Sequence, residues 1–83
     1  MQRPHSRYVM IADIAGWLGI GLIILAYALV SFMVLAPTEV WYPVLNGVGS
    51  LGVLWVSYVR KVWQPVILNI FWLIISVLAL VAV

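Results

Sequence analysis

The stretch Tyr58-Val-Arg-Lys-Val-Trp-Gln-Pro65 interrupts the apolar second half of this chain. On either side of it, residues 42–59 and 65–83 carry no charged side chain. Burying Arg60 and Lys61 together at the centre of a bilayer would cost about 5–7 kcal/mol, since each basic residue costs roughly 2.5–3.5. We therefore predict a tight hairpin over 60–64 between two apolar helices, in place of one long element over 42–83.

The whole chain is as apolar as the segments beside this hairpin. It has 83 residues, of which 67% are hydrophobic and 7% are charged. Soluble domains are about half apolar and about a quarter charged, and small domains bury the smallest fraction of their surface. Lipid is the solvent that suits such a chain. The composition predicts a single integral membrane domain over 1–83, with the lipid bilayer as its partner.

Three segments have the length of about 20 mostly apolar residues that a crossing helix needs. The first runs over 11–36 and ends before Pro37, while the others run over 42–59 and 65–83 with a proline in the first turn, where its missing N–H costs nothing. We predict an all-α bundle of three transmembrane helices. A cleaved signal peptide is the alternative for 1–36, although its apolar stretch exceeds the usual length of about 7–15 residues.

The basic residues predict the orientation of these helices. With three crossings, the N-terminus and the 60–64 hairpin lie on one side, and Glu39 lies on the other. The basic residues on the first side are Arg3, Arg7, Arg60 and Lys61. Because basic loops stay in the cytoplasm, we predict a multi-pass protein of the cell inner (cytoplasmic) membrane, N-in and C-out. Asp13 opens the first predicted helix, close enough for Arg60 or Lys61 to pair with it.

Small residues form a stripe at helical spacing on the first helix, and glycine recurs on the second. Small residues four apart let two helices approach closely in lipid, where dispersion forces drive helix packing. The stripe is either a seam between protomers or a packing surface within one protomer. The helix-packing candidates are Ala12, Ala15, Gly16, Gly19 and Gly49.

Polar side chains that cannot ionise lie inside the predicted spans. They either line a solute path or form interhelical hydrogen bonds, which average about 0.6 kcal/mol in lipid. By depth, Asn46 is level with Ser31, and Asn69 is level with Ser57, so that each pair could bond across helices. The candidates for a solute path or interhelical polar contacts are Asn46, Ser50, Ser57 and Asn69.

Catalytic and metal-binding chemistry has no candidate residues in this sequence. The chain has no cysteine and a single histidine, His5. Metal sites need several ligands, and proton transfer needs positioned groups with tuned pKa values. A clustered basic face of the kind that binds nucleic acid is also lacking. We therefore expect no enzyme activity, no cofactor, no metal and no nucleic-acid partner.

Several motifs, in this order, resemble a bacterial family of small, uncharacterised three-helix membrane proteins that are often labelled permease-like. They are Gly16-Trp17-Leu18-Gly19, Ala26-Tyr27, Ser31-Phe32, Leu45-Asn46 with Gly49, and Gln64-Pro65-Val66-Ile67-Leu68-Asn69 with Trp72. The resemblance covers nearly the whole chain and implies three helices. A looser likeness is to half-sized sugar transporters, which work as dimers and carry a Pro–Gln motif. This chain has the order Gln64-Pro65, in the third helix, and the opposite predicted orientation.

The sequence leaves two functions open. The first is a small-solute permease that acts as a homodimer, in which Asn46 and Asn69 bind an unspecified solute and the glycines permit movement. The second is an accessory or structural subunit of a larger membrane complex, in which the glycine stripe docks on a partner. Both hypotheses make the protein oligomeric.

Overall fold

The computed structural model describes residues 7–82, which form three α-helices. Helix α1 is Arg7–Ser31, α2 is Trp41–Val59 and α3 is Trp63–Ala82. The all-α fold class predicted from the sequence is confirmed for these residues. Arg3, His5 and the predicted end of the third helix at residue 83 lie outside the described residues.

The predicted range 11–36 for the first helix is wrong at both ends. The helix begins one turn earlier, where the Tyr8 ring packs edge-to-face on Trp55 of α2 with centroids 6.2 Å apart. It ends at Ser31 because Met33 takes the left-handed conformation, with φ of 63°. The N–H of Val34 then donates to the Leu29 carbonyl at 2.9 Å, and that of Met33 donates to Val30 at 3.1 Å. These two bonds form a Schellman motif, so the helix stops before Pro37 is reached.

Helix α2 ends in the same way as α1. Lys61 has φ of 59°, and the N–H groups of Lys61 and Val62 donate to the carbonyls of Tyr58 and Ser57 at 3.1 and 2.9 Å. This second Schellman motif turns the chain directly into α3. The hairpin predicted over 60–64 is therefore shorter than expected, since α3 already begins at Trp63.

The central helix is α2. Both α1 and α3 pack against it, whereas within residues 7–82 no Cα of α1 comes within 8 Å of a Cα of α3. Helices α1 and α2 run antiparallel, because Asp13 near the start of α1 meets Arg60 just after the end of α2. The result is an open arrangement with a groove between α1 and α3 above α2.

The residues buried between the helices are small or polar, and most large apolar side chains are exposed. Trp17, for example, is 76% exposed, and Phe32 and Val81 are about as open. The buried positions are Ala12, Gly16, Gly19 and Ala26 in α1, Pro43, Asn46, Gly49, Ser50 and Ser57 in α2, and Val66, Asn69 and Ser76 in α3. This distribution is the inverse of a water-soluble core, in which large apolar side chains are the ones most often buried.

Two of the helices found in residues 7–82, α1 and α3, are long and apolar enough to cross a membrane. Only 22% and 17% of their apolar stretches are buried within the molecule. Helix α2 is less apolar than α1 and α3, because it contains Pro43, Asn46 and three glycines and so has fewer large aliphatic residues.

Candidate functional site

Helices α1 and α2 meet backbone to backbone at glycine. A β-carbon on Gly19 would lie 2.4 Å from the carbonyl oxygen of Gly49, and one on Gly49 would lie 2.6 Å from that of Gly19. A β-carbon on Gly52 would lie 2.4 Å from the carbonyl oxygen of Ala15. Because the opposing atoms belong to the backbone, they cannot move aside as a flexible side chain can. The close helix contact therefore requires glycine at all three positions.

The other small residues of α1 continue this contact. A β-carbon on Gly16 would lie 2.5 Å from Cγ1 of Val56, and Ala12 and Ala26 are completely buried. Since α2 is the helix that packs against α1, the small-residue face of α1 is turned towards α2. The structure thus places Ala12, Ala15, Gly16, Gly19 and Gly49 at an interface within one protomer. From the sequence, both an interface within one protomer and one between protomers were possible.

Asn46 links α2 to α3 through a tryptophan. Its Nδ2 donates to the Tyr42 carbonyl at 2.9 Å, while its Oδ1 accepts a hydrogen bond from Trp72 Nε1 at 3.3 Å. The pairing with Ser31 that the sequence allowed is not formed, since the Asn46 amide is bonded to Tyr42 and Trp72, and Ser31 is exposed at the last residue of α1. Trp72 is a member of the polar contact that the sequence analysis missed. The sequence feature that could have predicted this contact is the indole N–H of Trp72, which needs an acceptor when it lies in an apolar helix.

Asn69 is bonded within its own helix. Its Nδ2 donates to the carbonyl oxygen of Pro65 at 2.8 Å, so the expected bond to Ser57 is absent from its contacts. The side chain is 7% exposed and lines the groove between α1 and α3, together with Ile20, Val53 and other apolar residues. That groove has a volume of about 260 Å³.

Asn46 lines a different and smaller cavity of about 130 Å³ between α2 and α3. Ser76, whose Oγ donates to the Trp72 carbonyl at 2.9 Å, lines the same cavity. Asn46 and Asn69 therefore line two separate apolar cavities. Trp72 is the residue that lines both cavities.

The two predicted serines differ in their surroundings. Ser57 is 7% exposed, in the last turn of α2. Ser50 is fully buried, and its Oγ is the one buried side-chain polar atom in residues 7–82 that has no hydrogen-bond partner. Leaving a polar group buried without a partner costs about 1–3 kcal/mol.

An ion pair joins α1 to the turn after α2. Arg60 donates from Nε to Asp13 Oδ1 at 2.8 Å and from Nη2 to Oδ2 at 2.5 Å, and the two side chains are 28% and 26% exposed. The hydrogen bond to the Asp13 carboxylate is the main cause that raises the pKa of Arg60. The sequence predicted that Asp13 opens a helix starting at about residue 11. Since the helix begins at Arg7, Asp13 lies beyond its first turn. Of the two cations proposed as its partner, Arg60 is the one bound.

Together these features define a class: an all-helical protein in which two membrane-capable helices pack on a third helix, α2, through glycine, serine and asparagine. The chain belongs to an uncharacterised protein family whose model matches residues 12–83. The matched range includes Asp13, all the glycines and both asparagines. No curated protein and no solved structure matches the chain.

Proposed function

We propose that this chain is a three-pass integral protein of the cell inner membrane that acts through helix packing, without catalytic chemistry. The observation that carries this proposal is the inverted burial of its side chains. Large apolar residues face outwards, and small or polar residues lie between the helices. In water that surface would favour aggregation, whereas in lipid it is matched to the acyl chains.

Two other interpretations of apolar helices fit the geometry less well. A core helix of a soluble protein is mostly buried, but the apolar stretches of α1 and α3 are 22% and 17% buried. A signal peptide is removed from the mature chain. Losing α1 would uncover Gly49 and Gly52 and would leave Arg60 without the carboxylate of Asp13. These contacts support α1 as a permanent part of the protein.

The third crossing is supported by the way α2 packs. Its contacts with α1 extend from Val56 beside Gly16 to Gly49 beside Ile23. If α1 crosses the bilayer, α2 runs through the same depth. The glycines and polar groups that lower its hydropathy are turned towards its neighbours, where lipid does not meet them.

The N-in, C-out orientation is supported by the ends of the bundle. Arg7 at the start of α1 lies at the same end as Arg60 and Lys61, because Asp13 and Arg60 are bonded. Glu39 lies in the loop at the opposite end, where its carboxylate accepts a hydrogen bond from the Ala36 N–H at 3.2 Å. Since basic residues are retained in the cytoplasm, the Arg60 end is the cytoplasmic one.

Among the functions open to such a protein, an accessory subunit of a larger membrane complex has the better support. The polar groups form contacts inside the protomer: Asn46 with Trp72, Asn69 with Pro65, and Asp13 with Arg60. A solute path would need polar groups that converge on one cavity, and the two asparagines line separate cavities. The wide apolar outer surface remains available for helices of other subunits.

A small-solute permease acting as a homodimer is the second candidate, and the groove between α1 and α3 favours it. The two helices do not close over α2, and Asn69 lines the opening. A second copy related by two-fold symmetry would cover both grooves and enclose a path between them.

Extraction in a mild detergent, followed by native mass determination with identification of bound polypeptides, separates these functions. Co-migration with other membrane proteins at fixed stoichiometry is the result expected for a subunit. A homodimer that transports solutes into vesicles, with loss of transport in Asn69→Leu, would support the permease and contradict the subunit. A Leu78→Ile variant, altered at an exposed position of α3, is the matched control.

A further inference from the structure

The cytoplasmic turn of the proposed topology lies beside an apolar groove on α2 and α3. The groove has a volume of about 510 Å³. It is lined by Leu51, Leu54, Trp55 and Tyr58 of α2 and by Trp63 and Ile70 of α3. Tyr58 and Trp63 stand at its turn end, with ring centroids 6.0 Å apart in an edge-to-face arrangement. Amphipathic rings of this kind favour the boundary between lipid chains and headgroups.

The turn that adjoins this end of the groove carries a cation without an ion-pair partner in the described part of the chain. Of the two basic residues in the turn, Arg60 is bound by Asp13, whereas Lys61 is exposed and forms no ion pair within residues 7–82. Lys61 lies in the chain between Tyr58 and Trp63, both of which line the groove. Its φ of 59° places a lysine at a helix-end position where glycine is the usual residue. The backbone conformation at this position therefore favours glycine, and it does not explain why the residue is a lysine.

We infer that the groove binds one acyl chain of an anionic phospholipid whose phosphate pairs with Lys61. This inference rests on the proposed membrane insertion. In a bilayer an apolar groove between helices is filled by a lipid chain, and the cation in the adjoining turn would select the charge of the headgroup. The cytoplasmic leaflet, which the Arg60 end faces in the proposed topology, is the leaflet rich in anionic lipid.

Quenching of tryptophan fluorescence by brominated lipids tests this site, because Trp55 and Trp63 line the groove. The full-length protein is reconstituted into phosphatidylcholine vesicles that contain either brominated phosphatidylglycerol or brominated phosphatidylcholine at equal mole fraction. We expect about a fivefold higher relative association constant for phosphatidylglycerol, the factor that corresponds to roughly 1 kcal/mol per basic residue near the surface. Trp63→Phe should reduce the part of the signal that differs between the two lipids.

Variants of Lys61 give the charge test. Lys61→Gly removes the cation and suits the positive φ, so that the variant retains its fold, and we expect the preference to fall to about onefold. Lys61→Arg should retain the preference. Arg7→Gln, which removes an exposed cation at the same end of the bundle but outside the turn, should leave it unchanged. Equal losses in Arg7→Gln and Lys61→Gly would indicate a diffuse surface charge and would overturn the inference.

The controls separate failure of this inference from failure of the proposed function. Release of the protein from vesicles by alkaline carbonate would overturn membrane insertion and the lipid site together. Stable insertion with equal quenching by the two lipids would overturn the lipid site alone. Added inorganic phosphate at millimolar concentration should leave the preference for phosphatidylglycerol unchanged. Loss of the preference would show that the turn recognises phosphate without the acyl chain and would overturn the lipid site.

Discussion

Gly19 of α1 and Gly49 of α2 lie so close that a β-carbon on either residue would clash with the carbonyl oxygen of the other. The two separations from an ideal β-carbon are 2.4 and 2.6 Å. In lipid, packing of this closeness replaces the hydrophobic effect as the source of helix association. The stability of the α1–α2 pair therefore depends on the absence of side chains at these positions.

Gly19→Ala should destabilise the protein by about 1–3 kcal/mol, the usual cost of overpacking, because the methyl group meets backbone. Gly21→Ala is the matched control in the same helix, since a β-carbon there meets nothing within 4 Å. It should be neutral or should stabilise by up to about 1 kcal/mol through helix propensity. Unfolding free energies in a mild detergent check both values, and equal effects would contradict the contact.

A second pair of substitutions tests the opposite helix. Gly52→Ala should be as harmful as Gly19→Ala, because its β-carbon would lie 2.4 Å from the Ala15 carbonyl oxygen. Gly47→Ala should be tolerated, since its closest contact is an ordinary 3.5 Å to Ser76 Cβ. Thermal unfolding of the two variants side by side gives the comparison. A harmful Gly47→Ala together with a harmless Gly52→Ala would place α2 in a different rotation.

Ser50→Ala should stabilise the protein by about 1 kcal/mol, because it removes a buried hydroxyl that has no partner. Ser76→Ala is its control, since Ser76 donates to the Trp72 carbonyl. We expect that change to cost about 0.5–1.5 kcal/mol, the net value of a hydrogen bond. Calorimetry in detergent measures both, and destabilisation by Ser50→Ala would show that its hydroxyl makes a stabilising contact and would contradict the unpartnered state.

Asn46 and Trp72 should be energetically coupled across α2 and α3. A double-mutant cycle with Asn46→Leu and Trp72→Phe should give a coupling energy of about 0.6 kcal/mol, with an upper bound near 1.7 for bonds of this kind in membranes. The same cycle with Asn46→Leu and Phe71→Leu should give none, since Phe71 is exposed to the surroundings. Additive effects in the first cycle would exclude the bond.

The ion pair between Asp13 and Arg60 should respond to salt more than to pH. Because the pKa of Arg60 is raised above an already high value, Arg60 keeps its charge throughout the neutral range and loses it as the pH rises into strong alkali. Asp13→Asn and Arg60→Gln should each destabilise the protein. The double variant should lose no more stability than one single variant does. Since about a quarter of each side chain is exposed, the effect should decrease in high salt. Fully additive losses would contradict the pair.

The position of the second turn could be predicted from the sequence, because Arg60 and Lys61 interrupt an otherwise apolar stretch and would be costly to bury in lipid. The end of α1 had no comparable signal. Residues 32–36 are apolar, and the helix is terminated by a left-handed Met33 where glycine is the usual residue.

The partners of the polar residues could be predicted only in part. The positions of Asn46 and Asn69 along their helices did not give the rotation of each helix about its axis. That rotation decides that Asn46 faces Trp72 and that Asn69 bonds to its own helix. The close approach at Gly52 also depends on how α1 and α2 cross, although its spacing of three residues from Gly49 was visible in the sequence.

The claim that all three helices cross the membrane is tested most directly by labelling single cysteines. The chain has no cysteine of its own, so one can be placed at exposed Thr38 in the first loop, at exposed Gln64 after the second turn, or at Ile74 within α3. With an impermeant maleimide on intact spheroplasts, we expect Thr38→Cys to react, Gln64→Cys to react only after permeabilisation, and Ile74→Cys to react in neither case. Equal reaction of Thr38→Cys and Gln64→Cys before permeabilisation would contradict the account, because α2 would then not separate the two sides.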